Sequence, residues 1–269
     1  MRKKKGGFLS LPVLAVILMM GFVYYATVFV VLGDWLGLES SPGLVNAVIF
    51  SWFAFMCFVS FFVAAFTDPG GIPSSFAPEM EDPQREHGVN SRYCGKCRLY
   101  KPPRSHHCRV CKRCVLKMDH HCVWISNCVG YGNYKPFIIF VFHAAIASIY
   151  SMVIFTCDIF QKDHHFDGMS PKLFYISFGS IVVFLSLTLG SLLCWHLYLL
   201  AHNLTTIEYR EAVRAMWLAK KTGQNYRHPF DLGVYNNLAL ILGPNMLKWL
   251  CPIAMSHLRD GTQFPISND

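Results

Sequence analysis

Apolar runs too long for a small globular core alternate with polar segments along this chain. Phe8 to Leu32 is 25 residues without a charge, and a helix crossing a bilayer needs about 20. A signal peptide has a shorter apolar region, so this run reads as a retained span. Leu44–Phe66, Phe137–Cys157 and Leu173–Ala201 repeat the pattern. Asp68-Pro69-Gly70 stops the second run, since proline and glycine both end helices. The pattern predicts an α-helical polytopic membrane protein with transmembrane helices over 8–32, 44–66, 137–157 and 173–201. Around them lie an arm over 1–7, a long polar segment over 67–136 and a tail over 202–269.

Within the tail, Thr206–Lys221 predicts an amphipathic helix, with Tyr209, Val213, Met216 and Trp217 on one face. It suits either the membrane interface or the surface of the polar domain. Leu238–Ile253 is apolar but broken by Gly243, Pro244 and Pro252, so it predicts a segment lying against the bilayer or the helices rather than a fifth span. His143 and His196 fall inside spans, where neutral hydrogen bonding between helices is expected.

Composition agrees with this reading. The chain is 53% hydrophobic and 15% charged, against about 25% charged in a soluble domain. Charge placement sets an orientation. Of the 24 lysines and arginines, all but Lys162 and Lys172 lie in the N-terminal arm, the 67–136 segment and the tail. Basic segments stay cytosolic, so both termini and the long polar segment are expected there. Asn203-Leu204-Thr205 matches the glycosylation pattern, and this topology predicts that it stays unmodified.

The candidate chemistry is concentrated in residues 94–137. Seven of the 11 cysteines lie there, with His106, His107, His120 and His121 among them. Close Cys-x-x-Cys pairs mixed with histidine are metal-ligand spacing in a reducing compartment, not a disulfide framework. Cys57, Cys157 and Cys194 sit in apolar runs and read as buried small hydrophobes. Two tetrahedral sites would use eight of the eleven candidate ligands, and the metal would supply folding energy to a segment poor in apolar residues. Three groups remain. A thiol beside an imidazole outside any metal site is the arrangement of an activated nucleophile, and Asp119 precedes His120 where a carboxylate could orient the ring. Spacing alone does not decide which three are spare.

Asp119-His120-His121-Cys122 in this cysteine-rich frame closely resembles the DHHC-type protein S-acyltransferases, or palmitoyltransferases, and specifically a plant member. Further shared motifs are Thr67-Asp68-Pro69-Gly70, Cys128-Val129-Gly130 with Asn133-Tyr134 and Phe137, Thr205-Thr206-Ile207-Glu208, and Phe230-Asp231-Leu232-Gly233 with Asn237. The resemblance implies a cytosolic zinc-bound cysteine-rich domain over 94–137 between helices 2 and 3. It implies two structural Zn2+ ions, one held by Cys94, Cys97, His107 and Cys114, the other by Cys108, Cys111, His121 and Cys128. Cys122 would then be the nucleophile, His120 its base and Asp119 the partner of that base. Ser126 and Val123 depart from residues common in the family, without loss of a ligand.

The implied reaction is acyl transfer in two steps. Cys122 takes the acyl group of a fatty acyl-CoA such as palmitoyl-CoA and passes it to a membrane-proximal cytosolic cysteine of a substrate protein. Trp124, Phe137 and Phe140 are expected to contact the acyl chain, and Thr206 and Asn237 to brace the site. On the third span Phe137, Phe140, Val141, Ala144 and Ser148 share a face that narrows with depth, which predicts acceptance of a long chain. The expected partners are substrate proteins and the lipid bilayer. The expected residence is an endomembrane, Golgi or ER, with the plasma membrane as the alternative. The basic residues of the polar segment could attract CoA phosphates or anionic lipid head groups, but as charge runs they read as general solvation. A zinc-anchored recruiting module of RING type would leave the spare Asp-His-Cys without a role. A metal transporter would carry its ligands in the spans. Nucleic-acid binding does not suit a zinc segment lying between two spans.

Overall fold

Built from sequence, the computed structural model describes residues 10–77, 92–161, 168–224 and 226–267. The expected N-terminal arm, Arg85 and Lys162 lie outside them. Helix α1 runs over Leu11–Tyr25, continues as a π-helical stretch over Ala26–Leu32 and closes with Gly33–Trp35. Helix α2 is Ser41–Phe66, α3 is Tyr134–Gln161 and α4 is Met169–Ala201. These four helices are long and apolar enough to cross a membrane. Each reaches a few residues past its uncharged run, at one end or both, because residues such as Asp34, Lys135, Asp158 and Lys172 are compatible with helical backbone and mark only where apolar composition stops.

The chain divides into two compact units. One contains Leu9–Phe62 and Ile138–His196, the greater part of the four spans. Its packing is aromatic and aliphatic. Phe178 and Val182 of α4 and Ile154 of α3 bury against Ala26, Val31 and Leu32 of α1. Phe50 stacks on both Tyr24 and Tyr150. Several polar side chains inside this unit are paired. Thr27 Oγ1 lies 2.7 Å from Ser151 Oγ and also donates to the Val23 carbonyl within α1, and Tyr150 donates to Asn46. His143 Nδ1 is 2.8 Å from the carbonyl of Ile139. Cys57 is buried as expected, but Cys194 is exposed on its helix, because a span's outer face carries apolar residues toward lipid as readily as its inner face does toward neighbours.

The other unit contains Val63–Phe137 and Leu197–Asp269. Three antiparallel hairpins pair β1 (Arg92–Cys94) with β2 (Leu99–Lys101), β3 (His106–Cys108) with β4 (Arg113–Val115), and β5 (His120–Cys122) with β6 (Asn127–Val129). The segment after α2 threads into them. Gly70 accepts from Leu116 N–H, and Pro69 accepts from Gly132 N–H. Gly130 permits that approach: a Cβ there would stand 2.6 Å from Val115 and 3.0 Å from the Pro69 carbonyl. Asn133 ties the same place together, its amide donating to the carbonyls of Ala64 and Cys128.

Helix α4 ends in a left-handed residue, Asn203 (φ 50°), after which Leu204 N–H reaches back to the Leu199 carbonyl. Asn203 is buried and its amide donates to Phe230, so the folded chain presents no free amide for a glycan. Helix α5 (Thr206–Lys221) opens with a capping box, Thr205 accepting from Glu208 N–H and Glu208 accepting from Thr205 N–H. It buries Glu208 and Ala212, Ile207 packs against the buried cluster of Cys108, Val115, Met118 and Cys128, and Val213, Met216 and Trp217 stay exposed. The 238–253 stretch, expected not to span, forms the short helix α6 (Val234–Leu242) and a 3-10 turn over Met246–Lys248.

Candidate active site and metal centres

The three hairpins are one device repeated every 14 residues. Cys94, Cys108 and Cys122 hold the same register, each pairing with the residue five positions on. Arg98, Lys112 and Ser126 all take positive φ, between 49° and 55°, at the turn that follows. In the first two hairpins a second cysteine, Cys97 or Cys111, closes the knuckle. Each is completed from the next hairpin by a histidine and a cysteine, which gives Cys94, Cys97, His107 and Cys114, and Cys108, Cys111, His121 and Cys128. The ligand atoms of each set lie within 4.8 Å of one another.

Both sets fit a tetrahedral cation of zinc's size. Zinc–sulfur and zinc–nitrogen bonds of about 2.3 and 2.0 Å imply S···N edges of about 3.5 Å. The three edges at His107 Nδ1 are 3.6, 3.2 and 3.9 Å. Those at His121 Nδ1 are 3.7, 3.4 and 3.5 Å. The protons of the second set are unevenly held. Hydrogen bonding from Cys128 helps pull Cys111 below the usual thiol range, while bonding to Cys111 and burial push Cys128 up. Crowded sulfurs of this kind share charge poorly without a cation.

In the third hairpin the knuckle is broken. Ile125, fully buried, stands where the second cysteine would be, and the positions 14 residues beyond His121 and Cys128 are Lys135 and Phe142. Cys122 belongs to neither metal cluster. It is buried, 7% exposed. On strand β5 successive side chains alternate between faces. His121 therefore turns toward a metal cluster while His120 and Cys122 share the opposite face.

His120 is held on both sides. Its Nδ1 donates to Asp119 Oδ2 at 2.6 Å, and the sulfur of Cys122 acts on the ring from the same face of the strand. Burial opposes its charged form, but Asp119 and Cys122 outweigh that and raise its pKa to about 9. Asp119 is nearly fully buried. It accepts from Thr206 twice, from the backbone N–H to Oδ1 at 2.8 Å and from the hydroxyl to Oδ2 at 2.9 Å. The carboxylate thus sits at the N-terminus of α5, where helical N–H groups favour negative charge.

The remaining expected site residues are spread more widely. Phe137, buried, meets the His120 ring edge-on at 5.4 Å. Trp124 projects from the tip of the third hairpin, more than half exposed. Phe140 packs edge-on against Phe61 within the span unit. Asn237 makes no hydrogen bond to Asp119, His120 or Cys122 among those observed. Its amide donates to Ala201 and Asp231 and its carbonyl accepts from Leu232, so it braces the Phe230–Gly233 turn against the end of α4. His106 lies on β3 opposite Val115, in neither metal cluster.

Three basic residues read as general solvation are in fact buried: Arg104, Lys117 and Lys135. Arg104 forks onto both oxygens of Glu208, at 2.6 and 2.7 Å, beneath the ring of Phe230. Lys117 donates to Asn203. Burial opposes ionisation of Glu208, but Arg104 and Lys117 overcome it and hold its pKa at about 2. Burial drives Lys117 well down. The 14-residue repeat was present in the sequence and would have singled out Cys122 directly. The buried charges carry no such signal, since their partners lie about a hundred residues away.

Residues 87–213 match the model of the DHHC palmitoyltransferase family. "Probable protein S-acyltransferase 15" of Arabidopsis thaliana is 53% identical over 93% of this chain and 100% of its own length. The chain belongs to this family. "Probable protein S-acyltransferase 16" of the same plant is 48% identical over 99% of the chain and 96% of its own length. A palmitoyltransferase of Danio rerio is 31% identical over 96% of the chain and 84% of its own length. The DHHC acyltransferase described here thus has relatives along nearly its whole length, spans and tail included.

Proposed function

We propose that this acyltransferase moves a fatty acyl group from acyl-CoA to protein cysteines through an acyl-enzyme on Cys122. The observation that carries this reading is the division of strand β5: a thiol and a carboxylate-anchored imidazole on one face, a metal-cluster histidine on the other. His120 takes the Cys122 proton, and the sulfur attacks the acyl carbonyl carbon. The carbon–sulfur bond to CoA breaks, and the leaving thiolate receives the proton from His120. In the second step His120 takes the proton of an incoming substrate cysteine. That sulfur attacks the Cys122 thioester, and Cys122 is released as the thiol. A thioester is made as one is broken in both steps, so no nucleotide is consumed.

Asp119, fixed by Thr206, keeps the Nδ1 proton in place and leaves Nε2 for the transfer. Zinc in the two clusters would hold the three hairpins in register, and four protein ligands to each ion leave no position open for substrate. Trp124, Phe137 and Phe140 are proposed to contact the acyl chain, with palmitoyl as the favoured group. A long acyl chain gains about 0.8 kcal/mol per buried CH₂, which supports a donor and acceptor that both lie at the membrane. The basic segments support a cytosolic orientation for both termini and for the metal-binding unit.

Incubating the purified chain with a labelled long-chain acyl-CoA should load one hydroxylamine-sensitive label per chain. Cys122→Ser should abolish it with both metals retained. Undiminished labelling of a metal-replete Cys122→Ser chain would defeat the assignment.

A further inference from the structure

Lys135 is the second residue of a membrane-spanning helix, yet its ammonium faces protein backbone. Its Nζ donates to the carbonyls of Leu242, Lys248 and Ala254, at 2.7, 2.9 and 2.8 Å. A buried ammonium with three carbonyl acceptors uses all its donors. The same stretch of tail is tied down at neighbouring points. His257 Nε2 lies 3.1 Å from the Ile241 carbonyl, Trp249 Nε1–H donates to Gly243, and Arg259 N–H donates to the Tyr131 hydroxyl. The three consecutive carbonyls where α6 ends are thus all engaged by side chains, where water would otherwise be needed.

With these carbonyls engaged inward, the segment leaves apolar side chains outward. Leu247 is 94% and Ile253 70% exposed, and Val234, Tyr235, Met246 and Leu250 are each more than half exposed. Between Val234 and Leu258 the only full charge is Lys248. Exposed apolar side chains gathered in one stretch of chain mark a candidate interaction surface. Backbone polarity satisfied within the segment is what a lipid environment demands, and an aromatic residue beside aliphatic ones suits the headgroup boundary.

We propose that residues 234–253 form a lipid-docking plate, a non-spanning element seated in the bilayer and pinned by Lys135. The occupant is lipid rather than protein because the plate is bonded to the first turn of α3, so it is continuous with a segment that enters the membrane. The plate adds a fixed contact with the bilayer besides the four spans, and it does not rest on the catalytic reading.

The test uses the full chain in phosphatidylcholine–phosphatidylserine vesicles, with a photo-crosslinking amino acid at position 247, 253 or 96. Lys96 is an exposed residue of the first hairpin turn and serves as the reference. Mass spectrometry should find phospholipid adducts at 247 and 253 in several-fold excess over 96. Adducts to a second copy, or lipid adducts no more abundant than at 96, would overturn the plate. Lys135→Met should bring the yield at 247 down to the reference level while both metal ions are retained. Unchanged yield in that metal-replete variant would overturn the pin. If Lys135→Met loses its metals, the comparison in the otherwise unaltered chain still decides whether the plate meets lipid.

Discussion

His120, His121 and Cys122 are neighbours in sequence, and strand alternation separates His121 from the other two. His121 Nδ1 points among sulfurs of the second cluster, while His120 Nδ1 points to Asp119. The carboxylate partner has a consequence in pH. The pKa of His120 is raised from 6.5 to about 9 in the folded chain, so its contribution to stability is complete below about 6.5 and disappears as pH rises through about 9. A shift of that size corresponds to roughly 3 kcal/mol. Asp119→Asn removes the stronger partner. Thermal unfolding of the metal-replete protein between pH 6 and 10 should show the native chain losing more stability across this window than the variant. Parallel profiles would contradict the charge pairing. The sequence already placed Asp, His and Cys side by side; it did not say that Thr206, 87 residues further on, would hold the carboxylate with two hydrogen bonds.

At the scale of elements, two short constructions place the site. The first is the hairpin repeat, whose third copy loses its metal because Ile125 replaces a cysteine. The second is helix α5, whose capping residue Glu208 also neutralises buried Arg104. Removing one member of a buried ion pair strands the other, at about 3–5 kcal/mol. Glu208→Gln keeps the shape but cannot carry the charge. It should lower the stability of the unit containing the hairpins by about that amount, measured as earlier loss of protease resistance on heating. A variant as resistant as the native chain would show that Arg104 finds another anion. The capping box was legible as Thr205-x-x-Glu208, but its second duty was not. Burial of Arg104 depends on α5, Phe230 and Phe264 folding over it, and local composition cannot report long-range burial.

Over the whole molecule, two units differ in what stabilises them. The spans are long apolar helices whose backbone hydrogen bonds are made within each segment, as a bilayer requires. The unit built on the hairpins has strands of three residues each and a small core around Cys108, Val115, Met118 and Cys128. Structural zinc contributes about 10–16 kcal/mol to domains of this kind. A strong chelator should therefore expose residues 92–133 to trypsin and stop acyl loading, with most far-UV helical signal retained. Persistent trypsin resistance after both metals are removed would show that the hairpins fold without them.

Periodicity, composition and motif spacing were enough to determine four spans, the interruption of the 238–253 stretch and a pool of eleven candidate metal ligands, from which the family resemblance picked eight. These are local properties: a run of apolar side chains chooses helix in lipid, and ligands two residues apart can share an ion without reference to the rest of the chain. Tertiary structure alone decided which basic residues lose their water, that Asp119 sits at the N-terminus of α5, and that Lys135 spends its charge on three tail carbonyls. Each of those outcomes depends on groups brought together across roughly a hundred residues. Burial, which sets the strength of every such interaction, exists only after the chain has closed around them.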